Sequence, residues 1–393
     1  MRTLTSLALL AALTTAAHAD RKPAPLARFS AKLHGAVTKP GENLVYSPSS
    51  IGIALAMTRE GATRETAAEM DRVLGATAGP EARALLASLA LATGKPGAPE
   101  LAIANRLFGD EALKIEKPFL AMTRDGYGAP LEQVTFRAKP EQARAGINAW
   151  VDTQTRGKIK DLLGPGVITT LTRLVLVNAI YLKARWKSPF EKRDTVAAKF
   201  EVAGAGAKQV PTMHGAVGAS WGSYAGARLL DLPYRSGGDG PQLSMLLVVP
   251  QRGKLEAIEA TYVKEGLAGF LAAASTRGEV SVALPTFRIA SGLSLGNTLA
   301  ALGMPRAFDA DLAQLDGIAK GARLHISQVI HRAVIEVDEH GTEAAAATAV
   351  VITTDAPSRP KHTFAADRSF AYFIHDEQGV VLFAGRVVDP SRR

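Results

Sequence analysis

The sequence predicts an α+β fold, and three observations predict it. Helical patterns gather in the first half of the chain, with apolar residues at i, i+3 and i+4 spacing. Strand patterns gather in the second half, which argues against regular β–α alternation. Several of those strands are apolar without interruption, as a sheet covered on both faces requires.

In chain order, "MRTLTSLALLAALTTAAHAD" comes first, with a positive start at Arg2, an apolar run from Leu7 to Leu13 and Ala17-His18-Ala19 as a cleavage site. Residues 1–19 therefore read as a secretory signal peptide, too short to span a membrane and without the polar face of an amphipathic helix. Helices follow in "SSIGIALAMTREGATRETAAEMDRVL", "ATAGPEARALLASLALATGKPGAPE" (a helix and then a loop) and "AGINAWVDTQTRGKIKDLL". Strands then follow in "RLVLVNAIYLKARW", "LSMLLVVP", "EVSVALPTFRIA", "VIHRAVIEVDE", "RSFAYFIHD" and "VVLFAGRVV". No repeat and no Gly/Ser or Pro linker divides residues 20–393, so one domain is expected.

Composition narrows the function. Of 393 residues, 47% are hydrophobic and 21% charged, enough to bury a large core. There is no cysteine, which excludes thiol catalysis and cysteine-ligated metal; an exported protein of this size can fold without disulfides. The net charge is +9, and loss of Arg2 leaves about +8. Its densest stretch, "YLKARWKSPFEKRD", is interrupted by acids and reads as solvated surface rather than a nucleic-acid or polyanion site. The eight histidines show no metal-ligand spacing, and neither a P-loop nor an EF-hand loop is present. No cofactor, nucleic acid or membrane is expected, and the mature chain is expected as a secreted or periplasmic monomer. The absence of a lipid-anchor Cys and of a eukaryotic-type glycosylation sequon points to a bacterial source.

One catalytic pattern does occur. Gly292-Leu293-Ser294-Leu295-Gly296 fits the G-x-S-x-G elbow of hydrolases, with Asp309, Asp311 or Asp316 and then His325 or His331 following in the required order. Against it, Pro285 interrupts the supposed central strand, and the upstream half lacks βαβ alternation and a Gly-rich oxyanion loop.

The segment "DEHGTEAAAATAVVITTDAPSRP", Asp338 to Pro360, is written for three conformations. Thr342 to Ala349 suits a capped helix, "VVITT" suits a strand and "DAPSRP" suits an exposed turn. Read as a strand from Thr342, the even positions Thr342, Ala344, Ala346, Thr348, Val350 and Ile352 are small or apolar. Glu343, the only charge, falls on the odd face. Inserted into a sheet with even residues inward, the segment buries no charge, and each hydrogen bond gained contributes about 0.5–1.5 kcal/mol. Gly341 supplies a permissive backbone where a hinge must bend. A capped surface helix with no mechanism is the alternative.

At these residues the sequence resembles the serpins. "NLVYSPSSIGIALAM", "INAWVDTQTRGKIKDLL", "LVNAIYLKARWKSPFE", "LPYRSGGDGPQLSMLLVVP", "LPTFRI", "LAALGMPRAFD", "ISQVIHRAVIEVDEHGTEAAAAT" and "FAGRVVDP" are similar to segments of that family in the same order. The resemblance implies three β-sheets with eight or nine helices and an exposed reactive loop, here about residues 340–362. It implies a bait cut by a target protease, an acyl complex, and insertion of the loop into the central sheet. It also reassigns Ser294 to an ordinary turn. The hinge would comprise Glu339, Gly341, Thr342, Glu343, Ala344, Ala345, Ala346, Ala347 and Thr348.

Counting about sixteen residues from Glu339, as the family does, places the reactive bond at Asp355–Ala356. The partner would then be a Glu/Asp-preferring serine protease or a caspase-like cysteine protease. Cleavage within Val351–Thr354 would suit an elastase-like or subtilisin-like enzyme instead, and Pro360 makes Arg359 a poor trypsin bait. Ser47, Ser50, Asn178 and His331 match the family's polar "shutter" beneath the central sheet, and Trp186 matches the "breach" where insertion starts; plain core roles are the alternatives. Ser369, Thr286 and Gln328 depart from the family's usual Pro, Lys and Lys. The nearly uncharged "EARALLASLALATGK" implies no heparin-type cofactor. A non-inhibitory carrier, chaperone or storage role remains as the second reading; its members usually carry bulky, charged or proline residues in the hinge, and this segment has none.

Overall fold

In the computed structural model, residues 24–92, 98–237, 240–251, 254–342 and 360–392 are described. The chain opens with α1 (Pro25–Val37), β1 (Leu44–Tyr46), α2 (Pro48–Arg59), α3 (Arg64–Leu74) and α4 (Ala78–Ala92). It continues through β2 (Glu100–Asp110), α5 (Lys117–Tyr127), β3 (Glu132–Val134), α6 (Pro140–Gln154) and β4 (Leu174–Arg185). Four strands come next: β5 (Thr195–Val202), β6 (Gly206–Tyr224), β7 (Ala227–Pro233) and β8 (Leu243–Pro250). Then follow α7 (Leu255–Glu265), α8 (Ala268–Ala273), β9 (Thr276–Pro285), β10 (Phe287–Ser294) and α9 (Gly296–Ala301). The last strands are β11 (Gln328–Asp338), β12 (Gly341–Thr342), β13 (His362–Ala365), β14 (Phe370–Asp376) and β15 (Val381–Val387).

The architecture is α+β, with nine α-helices among the described residues. One ladder runs β1-β15-β14-β8-β7-β6-β9-β13, with β5 also bonded to β6; the other runs β10-β11-β12-β4-β2-β3. The 19-residue β6 pairs first with β5, then with β9 and finally with β7. Through it, two of the three sheets implied by the resemblance join into one continuous ladder.

Four local expectations are corrected. The first helical pattern is two helices, because the chain turns at Glu60–Thr63 before α3 begins. In the "AGINAWVDTQTRGKIKDLL" pattern only the part up to Gln154 is helical. The Gly157 N–H bonds back to the Asp152 carbonyl at 2.8 Å, and Arg156 and Asp161 take positive φ (+54° and +49°), so the remainder runs as turns. "EVSVALPTFRIA" is not one strand but two, β9 and β10, in different ladders, since the chain leaves one sheet at Pro285. Finally, the early half holds β2, an 11-residue strand that "ELAIANRLFGD" did not announce.

The six-stranded sheet is covered on both faces, as the continuous apolar strands require. Leu174, Leu176, Ile180, Leu182 and Ala184 of β4 join the main core, on the side where α2 packs against β2 and β4. Val175, Val177 and Ala179 face the other way, into a second core with Ile147 and Val151 of α6. On β11 the same alternation puts Val329, Ala333, Ile335 and Val337 in the main core and Ile330 and Val334 under α6. α6 is pinned to β2 by Trp150, whose ring meets Phe108 edge-on at 5.4 Å and carries the Arg106 guanidinium at 4.5 Å.

Candidate functional site

The alternation that fills the main core is broken once on each of three neighbouring strands. Asn105 of β2, Asn178 of β4 and His331 of β11 stand on the α2 face, at positions where an apolar residue is expected. All three are buried. The register puts Asn105 opposite Asn178 and Asn178 opposite His331, so the three form one polar row across the sheet.

The N-terminus of α2 completes this row. Ser47 caps the helix: its side chain accepts the Ser50 N–H at 3.1 Å, and Pro48 follows at the first helical position. The Ser47 N–H donates to His331 Nε2 at 3.1 Å, which leaves the ring proton on Nδ1, and that nitrogen donates to Asn178 Oδ1. The Asn178 amide then donates to Ser50 Oγ at 2.6 Å and to Asn105 Oδ1. Ser50 Oγ donates to Asn105 Oδ1 at 3.0 Å, and the Asn105 amide returns a bond to the Ser50 carbonyl at 3.2 Å. Burial lowers the His331 pKa to about 3, so the ring is neutral at physiological pH. Each member is satisfied only in this one pattern of donors and acceptors, which specifies the packing of α2 on the sheet.

The four expected shutter residues are therefore brought together, and Asn105 is a fifth that the sequence reading missed. Its signal was present: Leu101, Ile103 and Leu107 share one face of β2, and Asn105 interrupts them as Asn178 interrupts β4.

At the top of the same sheet the two central strands part. β4 and β11 pair in parallel over seven positions, from Val175–Gln328 to Tyr181–Val334. Above that, Gly341 and Thr342 form the two-residue β12 between them, paired with Ala184 and Arg185 on one side and with Val337 and Asp338 on the other. Gly341 has φ +150°, and a Cβ there would collide with the Ala184 carbonyl oxygen, so no other residue fits. Thr342 lies opposite Ala184 and Val337, both main-core residues, and is buried. Its side chain thus faces inward, in the expected even phase.

The turn before β12 is held at many points. Asp338 Oδ1 accepts the N–H groups of His340 at 2.8 Å and Gly341 at 3.1 Å, and burial pushes this carboxyl above its ordinary range. Thr195 Oγ1 donates to Glu339 Oε1 at 2.6 Å, and the Phe190 N–H donates to the Glu339 carbonyl at 2.9 Å. Trp186, buried at the end of β4, donates from Nε1 to the Asp338 carbonyl at 3.0 Å. Its ring stacks on Tyr234 at 4.6 Å and 8°, and the Tyr234 hydroxyl lies 2.6 Å from Thr342 Oγ1. Tyr234 was not anticipated. Glu343, Ala344, Ala345, Ala346, Ala347, Thr348, Asp355 and Ala356 lie outside the described residues, as does the expected signal peptide.

The hydrolase pattern does not assemble. Ser294 is the exposed last residue of edge strand β10 and lies opposite Ile330, whereas His331 lies opposite Leu293 on the other face. Asp309 instead receives the N–H groups of Asp311 and Leu312 at 2.8 and 2.9 Å, and Asp316 reaches Thr63. Asp309 thus closes a turn and Asp316 makes a long-range contact, and among the described residues neither is hydrogen-bonded to a histidine.

Comparison with known proteins agrees with this geometry. A family model described as "Serpin (serine protease inhibitor)" matches residues 25–390. The human leukocyte elastase inhibitor is 36% identical over 92% of this chain and 98% of its own length. An uncharacterized serpin-like protein of Thermococcus kodakarensis is 37% identical over 92% of this chain and 84% of its own. The crystal structure of uncleaved ovalbumin superposes with a TM-score of 0.82 at 28% identity, covering 93% of this chain and 99% of that one.

Proposed function

The chain belongs to the serpin family of serine protease inhibitors, and on that premise we propose that it is a suicide-type inhibitor that traps an endopeptidase covalently. The leukocyte elastase inhibitors among its relatives are named inhibitors rather than catalysts, and the chain is not an enzyme. The observation that carries the reading is β12: the first two residues of an additional strand stand between β4 and β11, directly above seven pairs that would have to part.

The target's nucleophile attacks the Asp355 carbonyl and the Asp355–Ala356 bond breaks. The Ala356 amine leaves with the proton that the target's general acid supplies. Asp355 remains as an acyl ester on the target. Residues Thr342 onward then extend β12 downward, displacing the β4·β11 pairing and bonding to both strands. Each additional net hydrogen bond contributes about 0.5–1.5 kcal/mol, and a new strand with two neighbours makes more bonds than the parallel pair it replaces. Trp186, Gly341 and Glu339 hold the entry, and the row of Ser47, Ser50, Asn178 and His331, with Asn105, holds the part of the sheet that must open.

The bait residue favours a target that accepts Asp or Glu. Similarity to an inhibitor of leukocyte elastase supports the alternative bait, cleavage within Val351–Thr354 by an elastase-like or subtilisin-like protease. Residues 1–19 are proposed as a signal peptide, with residues 20–393 acting as a secreted or periplasmic monomer.

The test is incubation of residues 20–393 with Glu/Asp-preferring, elastase-like, subtilisin-like and trypsin-like proteases. Denaturing gels read a covalent complex, and mass spectrometry sizes the released fragment. A complex with a fragment starting at Ala356 is expected; a complex with another start keeps the mechanism and moves the bond. Cleavage by every enzyme without a complex, and without a gain in heat resistance, would sink the inhibitory reading.

A further inference from the structure

One stacked aromatic pair holds both ends of the hinge turn. Trp186 takes the start, through its indole bond to the Asp338 carbonyl, and Tyr234 takes the end, through Thr342 Oγ1. The two rings are stacked nearly parallel and both are buried, so neither end can move without disturbing the other. Tyr234 directly follows β7 of the other ladder and bridges back to Trp186. Its N–H donates to the Leu243 carbonyl at 2.9 Å, and the flanking Pro233 carbonyl and Arg235 N–H bond to Lys187 and Arg185 at 2.9 and 2.7 Å. The pair thus ties the end of β4 to the other ladder by backbone hydrogen bonds as well as by the stacked rings.

We propose that Tyr234 is a positioning residue for loop insertion: its hydroxyl seats Thr342 at the top of the slot, so that the incoming strand is already begun when the loop is cut. The proposal rests on the inhibitory reading above. Once the acyl ester has formed, insertion competes with its hydrolysis. A strand whose first residues are already ordered propagates without the entropy loss of finding the slot. A buried phenol whose hydroxyl bonds to a hinge side chain supplies that order, and Gly341 allows the backbone to approach closely enough for it.

The experiment uses the mature chain and the protease that gives the highest complex yield in the panel. The variants are Tyr234→Phe, Thr342→Val, their double mutant and Thr342→Ser, which keeps the hydroxyl. Two quantities are read: amide hydrogen exchange at Gly341 and Thr342 without protease, and the moles of inhibitor consumed per mole of protease inactivated. Tyr234→Phe and Thr342→Val are each expected to speed exchange and raise the stoichiometry. The rise should be roughly two- to tenfold, the factor carried by one net hydrogen bond. The double mutant should match either single, and Thr342→Ser should behave as wild type.

Unchanged exchange in Tyr234→Phe overturns the proposal, as does faster exchange with wild-type stoichiometry. If the unmodified chain forms no complex with any protease, the inhibitory reading fails. Faster exchange in that case leaves the pair a purely structural clamp, which also overturns a role in insertion.

Discussion

Asn178 on β4 and His331 on β11 stand opposite each other in the parallel ladder, and their side chains share one proton assignment: His331 Nδ1 donates and Asn178 Oδ1 accepts. A second proton on the ring would sit on Nε2 and face the Ser47 N–H, donor against donor. The cluster therefore tolerates only the neutral imidazole, in keeping with a pKa lowered by burial from 6.5 to about 3.

The first prediction is a pH-dependent stability with this histidine as a source. Below the ordinary value of 6.5 the unfolded chain takes up the proton while the folded chain does not. The contribution is fully present above pH 6.5 and is lost as the pH falls toward about 3. The loss is at most about 1.4 kcal/mol for each pH unit. Denaturant unfolding at several pH values between 7.5 and 4 measures it, with His331→Gln as the comparison. The wild-type curve should fall more steeply through that window; parallel curves would remove His331 as a cause.

The second prediction ranks the members of the polar row. Asn105→Ala takes the acceptor from both Ser50 Oγ and the Asn178 amide, and the donor from the Ser50 carbonyl. Leaving such groups buried and unpaired costs about 1–3 kcal/mol for each. Ser47→Ala removes only a helix cap, at about 1 kcal/mol, because the Ser47 bond to His331 comes from the backbone. Asn105→Ala should lower the urea midpoint by clearly more than Ser47→Ala at an unchanged slope, and the reverse order would contradict the network.

Much of this architecture was legible in the sequence because it rests on local pattern. β4, β8, β11, β14 and β15 are predominantly apolar runs, and those of β4 and β11 have a core on each face, as the burial argument demanded. Asn178, His331, Ser47 and Ser50 were legible through the family resemblance, while their convergence depends on register. Asn105 meets Asn178 across 73 residues of chain, and no periodicity within "ELAIANRLFGD" says which strand lies beside it. Tyr234 was missed for the same reason, since it closes on Thr342 from 108 residues away. The over-extended helix after Gln154 failed differently: "RGKIKDLL" keeps a helical apolar spacing, but Gly157 at φ +78° ends the helix first.

The third prediction concerns Gly341. An alanine there would have to leave the left-handed backbone region and back away from Ala184, so β12 would come out of the slot. Gly341→Ala should therefore cost about 1–3 kcal/mol in stability and expose the Gly341 and Thr342 amides to exchange. Denaturant unfolding and hydrogen exchange measure the two effects. A variant with wild-type stability and protection would mean that the slot accommodates a Cβ, and the close approach would have no consequence.

The last prediction tests the phase of the inserted strand. Thr342 faces inward because it pairs with Ala184 and Val337, whose side chains belong to the main core. Side chains alternate along a strand, so an extended β12 would turn Ala346 toward that core and Ala347 toward the α6 side. A lysine at Ala346 would be carried into the interior without a partner, at a cost of several kcal/mol, and insertion would lose to hydrolysis of the acyl ester. Ala347 would come to lie beside Ala179 in the core under α6, whereas a lysine at Glu343 would lie beside the partly exposed Lys183 and Glu336 on that face and keep its charge in water. Ala346→Lys should thus convert the protein from an inhibitor into a substrate, cut cleanly with little covalent complex on a denaturing gel. Glu343→Lys should keep most of the complex. Equal loss in both variants would mean that the slot rejects charge on either face, and the even phase set by Thr342 would no longer explain why Glu343 is tolerated beside it.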